Sequence, residues 1–119
     1  MRFWRTASGT TSSVRVTQPL QIRVSPQAFA QIEKAAEWWA RNRPAAPGAI
    51  RQEVADILTV LVGQPGVGMP TRRGRVKGLR RVTLSRIHYH LYYRVSEGVL
   101  EVLAFWHTSR GRPPRVRVQ

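Results

Sequence analysis

The stretch from Leu79 to Trp106 sets the narrowest limits on what this chain can fold into. Three runs rich in β-branched, aromatic and aliphatic residues, Leu79 to Leu84, His88 to Val95 and Val99 to Trp106, are parted by tight connections. Runs of this composition predict an antiparallel meander. In the middle run Leu91, Tyr93 and Val95 fall on one face, and His90, Tyr92 and Arg94 on the other. The last run is apolar almost without break, as expected of a central strand covered on both sides or one in the middle of the core. Arg81, Arg86, His88, His90 and Arg94 are threaded through these strands. Such a sheet is expected to offer one face to an anionic partner.

The chain ahead of the meander supplies its cover. Leu20, Ile22 and Val24 alternate with Gln21 and Arg23, the period of a half-buried strand, which is expected to join the sheet. Ser25 and Pro26 mark a helix start, a capping hydroxyl followed by the residue suited to the first helical position. Phe29, Ile32, Ala36 and Trp39 then recur at helical spacing, until Asn42 stops the helix and Arg43, Pro44 and Pro47 make a turn. A second helix is expected from about Gly48 to Val62, with Ile50, Val54, Ile57, Leu58 and Leu61 on one face and Gly63 and Pro65 at its end. The short spacing predicts an antiparallel helical hairpin whose apolar stripe the sheet covers. Between hairpin and meander, residues 63 to 78 form a glycine- and proline-rich loop carrying Arg72, Arg73, Arg75 and Lys77. It lacks the Gly-Lys-Ser/Thr of a nucleotide-binding loop and is better suited to contact phosphates or an acidic peptide.

Charge narrows the partner. Residues 1 to 62 carry eight basic and four acidic side chains, whereas residues 63 to 119 carry twelve and two, within a formal net charge of +14. So lopsided a distribution favours an acidic macromolecule, either nucleic acid or an acidic polypeptide. The chain has no cysteine, which removes disulfides and thiolate metal sites, and the spacing of its three histidines supports no metal. No cofactor is expected. The absence of a long apolar run predicts no membrane span and a cytoplasmic protein. At 119 residues there is material for one core. Residues 1–18 are expected to be a flexible basic arm, 19–112 the folded domain and 113–119 a basic tail.

Several motifs occur in order: Trp-Trp-x-x-Asn-Arg-Pro-x-Ala-Pro from Trp38, Pro-Gly-x-Gly from Pro65, Leu-Arg-Arg from Leu79, His-Leu-Tyr-Tyr-Arg-Val from His90 and Trp-His-x-x-Arg-Gly from Trp106. Their order and spacing resemble the RelE/ParE superfamily of toxins from bacterial toxin-antitoxin pairs. The resemblance implies an α+β fold, with a two-helix antiparallel hairpin packed on one face of a four-stranded antiparallel sheet. It also implies an acidic antitoxin as partner.

Two activities are known in that superfamily. ParE-like members bind DNA gyrase and trap its cleaved-DNA complex; RelE-like members cut messenger RNA on the ribosome by 2′-hydroxyl attack on the adjacent phosphate. The Trp-Trp helix end and the His-Leu-Tyr-Tyr-Arg-Val strand look closer to ParE, while an arginine is usual in the ribonuclease branch where His90 stands. If there is catalysis, Arg81, His90, Arg94 and His107 are the candidates, the arginines for charge on the phosphate and the histidines for proton transfer. Candidates for binding target or antitoxin are Trp38, Trp39, Arg72, Arg73, Arg75, Lys77, Arg80, Arg86, Tyr92 and Arg110. A basic nucleic-acid-binding module without toxicity is the third reading, weakened because neither helix carries a basic recognition face.

Overall fold

Helix α1, Pro26–Asn42, starts where its cap residue dictates. The Ser25 hydroxyl accepts the Ala28 N–H at 3.1 Å, an interaction of about 1 kcal/mol. The computed structural model describes residues 20–109. The expected arm (1–18), the tail (113–119) and Arg110 lie outside the described residues. α1 buries Ala28, Ile32, Ala35 and Ala36, while Phe29 is only half-buried. The buried stripe is thus turned from the expected one toward small residues. Alanines let the helix lie close to the sheet, and Gln31 from α1 accepts the backbone N–H of Phe105 at 2.9 Å. Helix α2, Ala49–Gly63, buries Ile50, Val54, Leu58 and Leu61, and Glu33–Arg51 ties it to α1. The Glu53–Arg86 pair, at 3.3 Å, ties α2 to a sheet turn.

The sheet has five strands, not the four expected: β1 Gln21–Val24, β2 Met69–Pro70, β3 Arg80–Leu84, β4 Tyr89–Ser96 and β5 Val99–His107, in the order β1-β5-β4-β3-β2. It is also mixed. β3, β4 and β5 form the expected antiparallel meander, but β1 runs parallel to β5, with Gln21 opposite Val99 and Val24 opposite Val102. Alternation in a sequence identifies a strand and its buried face, and says nothing of its direction. β2 is a two-residue pairing of Met69 and Pro70 with Arg81 and Arg80, inside the stretch expected to be only loop. The β4–β5 hairpin turns at Glu97 and Gly98, both at positive φ, as a two-residue turn of matching twist requires.

β5 sits inside the sheet and is covered on both sides. Leu100, Val102 and Phe105 join the helix-side core with Ile32, Val54, Leu58, Leu91 and Tyr93. On the far side Leu103 and Ala104 pack with Leu79 and Tyr92, flanked by Val76 and Trp106. A bulge makes this possible: Tyr92 pairs with Ala104 and Tyr93 with Val102, so Leu103 is an extra residue and two successive side chains face the same way. The loop after β2 therefore roofs part of the sheet face expected to be open. On the helix side, the segment leading into β2 is fastened at Tyr93, whose hydroxyl donates to the Pro65 carbonyl at 2.6 Å and accepts the Gly68 N–H at 2.9 Å. Burial pushes the Tyr93 hydroxyl above its ordinary pKa, against the opposing influence of the Gly68 bond and Arg80, so it stays protonated and able to donate.

Two substitutions test this framework. A Cβ on Gly68 would meet the Tyr93 oxygen at 2.6 Å, whereas one on Gly66 meets nothing within 4 Å. Gly68→Ala is expected to cost about 1–3 kcal/mol in urea unfolding, and Gly66→Ala under about 0.5. Glu101 is buried, and its carboxylate is held by Arg94 at 3.2 Å and Arg23 at 3.9 Å. Glu101→Gln is expected to destabilise by about 1–3 kcal/mol, read as a fall in Tm, because Arg94 loses its charge partner in a half-buried place.

Candidate cationic face

Strand register sets which side chains meet on the sheet face away from the helices. Arg81 lies opposite Tyr92, Thr83 opposite His90, and Arg94 opposite Glu101, so these three pairs form successive rows. Tyr92, expected to contact a partner, is fully buried with Leu79, Leu103 and Ala104. The roof needs an apolar floor, and Tyr92 with Leu103 and Ala104 supplies it. What remains accessible is the row beside it. His90 and Arg81 are half-buried, and Thr83 is exposed.

His90 is held in place on this face. Its Nδ1 is hydrogen-bonded to the Thr83 hydroxyl at 2.9 Å, and its ring meets Tyr92 edge to face at 6.3 Å. That leaves Nε2 as the ring nitrogen for a ligand. Burial, and next the positive charges of Arg81 and Arg73, push its pKa below the ordinary value of 6.5. The imidazole is therefore neutral at physiological pH and feels the positive charge of two guanidinium groups. Arg73 is itself half-buried, with its Nε lacking a hydrogen-bond partner. A face of this kind attracts phosphate or carboxylate oxygens through Arg81 and Arg73, with a hydrogen bond from a fixed imidazole.

The other residues singled out in the sequence are distributed differently. Arg94 is paired with Glu101. Arg80 holds the segment ahead of β2, with its guanidinium donating to the Gly68 carbonyl at 2.5 Å. Arg86 pairs with Glu53 but keeps 80% of its side chain exposed. Arg72, Arg75 and Lys77 are exposed on the basic loop. His107 is on the helix side of the sheet, with its ring edge-on to Tyr89 at 5.0 Å and Nδ1 bonded to Ser109. It shares no surface with His90, so the four catalytic candidates do not form one cluster. Trp38 and Trp39 lie at the end of α1, also on the helix side, with Trp38 45% exposed. Arg110 is outside the described residues. Sequence reasoning missed Thr83; its place two residues after Arg81, on the same strand face, was the available signal.

A proton NMR titration checks the His90 environment. Its midpoint is expected below 6.5, and Arg81→Gln is expected to raise it. The sign for stability follows. The unfolded chain takes up the His90 proton near 6.5 while the folded chain resists it. The contribution of His90 is thus present above that pH and lost as pH falls through 6.5 toward the lower folded value.

Comparison with known proteins places this geometry. The family model described as "ParE toxin of type II toxin-antitoxin system, parDE" matches residues 22–112. No curated protein matches. Among solved structures, a chain of the chromosomal ParDE TA system from P. aeruginosa superposes with a TM-score of 0.63 at 19% identity, covering 76% of this chain and 97% of that one. A chain of the YoeB dimer from Staphylococcus aureus gives 0.50 at 16% identity, covering 75% and 97%. At these identities the structural likeness speaks for the fold, and the family match spans nearly all of the described residues. On that match, the chain belongs to the ParE toxin family of type II toxin-antitoxin systems.

Proposed function

We propose that this chain arrests bacterial growth by binding DNA gyrase and trapping its cleaved-DNA complex, and that a cognate acidic antitoxin holds it inactive. The observation that carries this reading is the separation of the proton-transfer candidates. His90 and His107 lie on opposite sides of the sheet, and Arg94 is committed to Glu101. Inhibition by binding needs a fixed, charged surface and no acid-base pair. Arg81, Arg73 and the exposed loop cations Arg72, Arg75 and Lys77 supply such a surface, one suited to an acidic protein surface or to the DNA backbone in the trapped complex.

A second reading has an observation of its own in favour. A neutral His90, fixed by Thr83 and under the positive charge of Arg81 and Arg73, resembles half of a phosphoryl-transfer site, with a base and charge stabilisation for a pentavalent phosphate. It lacks a positioned acid among the described neighbours of His90.

Purified chain incubated with gyrase and supercoiled plasmid discriminates the two. Linear DNA is expected to accumulate after protein digestion, and Arg81→Ala is expected to reduce it by about tenfold, the loss of one well-placed charged contact. In cells, induction is expected to switch on DNA-damage signalling. Ribosome-dependent transcript cleavage with no gyrase-linked DNA breaks would replace this reading with the nuclease one.

A further inference from the structure

The loop between β2 and β3 has at its tip Arg75, Val76 and Lys77, with a glycine on either side. Gly74 and Gly78 both stand at a φ of 71°, the left-handed region that a residue without a side chain enters freely. Below them the neck of the loop is closed by the Thr71 N–H, which donates to the Leu79 carbonyl at 3.0 Å. The tip is therefore a short flap on a fixed base, with a residue at each end able to absorb a change of backbone angle.

Two opposed forces act on the flap. Val76 is half-buried and packs on the cluster of Leu79, Tyr92, Leu103 and Ala104, which holds the flap down. Arg75 and Lys77 flank it and are exposed, and among the described residues neither is paired with a carboxylate. Arg72 and Arg73 stand just before the flap, and Arg81 lies opposite Tyr92 on the neighbouring strand, so closing gathers like charge. Such repulsion reaches over about a Debye length, ~10 Å at 0.1 M salt. The floor supplies a second reason to open. Among the described residues the buried Tyr92 hydroxyl has no hydrogen-bond partner, and a group of this kind costs free energy while covered and regains water when uncovered. One apolar side chain is thus set against two unpaired cations and an unsatisfied hydroxyl.

We propose that residues 74–78 are a flap, latched by Val76 and sprung by Arg75 and Lys77, which lifts to open the Tyr92 cluster beside Arg81. Lifted, it presents the Tyr92 hydroxyl with the apolar surface of Leu103 and Ala104; lowered, it seals them. Whatever screens or neutralises Arg75 and Lys77 favours the lowered form, because only the spring is electrostatic. The device works in the chain alone, whichever target the chain meets.

Nitration of the full chain by tetranitromethane reads the flap, with Tyr92 and Tyr93 told apart by tandem mass spectrometry. Both are buried, but Tyr93 lies in the helix-side core, away from the flap. Val76→Ser weakens the latch and is expected to speed nitration of Tyr92 by about fivefold or more. Arg75→Gln with Lys77→Gln removes the spring and is expected to slow it by about threefold. Raising the salt from about 20 mM to about 0.5 M is expected to slow the parent chain by a similar factor and to leave the glutamine variant within about 1.5-fold. The Tyr93 rate is expected to hold throughout. A Tyr92 rate unmoved by Val76→Ser, or not slowed by the glutamine pair, would overturn the proposal. So would a Tyr93 rate that changes in step with Tyr92, since that marks opening of the whole sheet. The glutamine pair replaces exposed side chains, so it decides the matter even where Val76→Ser fails to fold.

Discussion

Strand β5 is apolar on both of its faces, and such a strand is stable only if it is covered twice. The helical hairpin covers one side through Leu100, Val102 and Phe105. The other side would present Leu103 and Ala104 to water, at a cost of about 25 cal/mol for each Å² of apolar surface left wet. The stretch around Val76 and Leu79 removes most of that cost by folding down over Tyr92. The extra residue at Leu103 makes the second cover worth having, because it sets two neighbouring side chains on the same face before Phe105 returns to the helices. The cationic surface is consequently smaller than a bare sheet would offer. It is the strip along Arg81, Thr83 and His90 that the roof leaves accessible.

The segment that leads into β2 is held by polar contacts. Tyr93 faces the helices, yet its hydroxyl reaches the Pro65 carbonyl and the Gly68 amide, so one side chain serves both the core and the loop. Arg80, on the adjacent strand and paired with Tyr93, donates to the Gly68 carbonyl from the same end. Both polar groups of Gly68 are thereby satisfied, and its missing side chain is what allows Tyr93 so near. The loop that bears Arg72, Arg73, Arg75 and Lys77 is fixed at its base by these bonds. Of its cations, Arg73 acts on His90, while Arg72, Arg75 and Lys77 are exposed.

Much of this was legible in the sequence, and the failures have physical causes. The capping serine, the two helices and the three meander strands follow from side-chain period and turn chemistry, which are local properties. The direction of β1, the two-residue β2 and the bulge at Leu103 depend on which strand lies beside which. Period does not encode that. The α1 stripe was drawn through Phe29 because large apolar residues mark a buried face. Close approach to β5 favoured Ala28 and Ala35 instead. Among the functional candidates, a cation that meets a partner and one that meets its own fold look alike in one dimension. Arg80 and Arg94 turned inward to Gly68 and Glu101, and Tyr92 was taken up by the roof, whereas Arg81 kept an accessible place.

The placement of acidic side chains explains how so basic a chain stays folded. Three of the six carboxylates are spent at junctions between elements: Glu33 between the two helices, Glu53 between α2 and the β3–β4 turn, Glu101 between β1, β5 and β4. None of the three pairs with Arg73 or Arg81. Burial, and next the repulsion of these two cations, lowers the pKa of His90, so a third positive charge is kept out of the strip. A surface left this uncompensated is destabilising to the isolated fold and favourable to any anionic partner that covers it. The same arrangement that weakens the free chain therefore strengthens its complexes with an anionic partner.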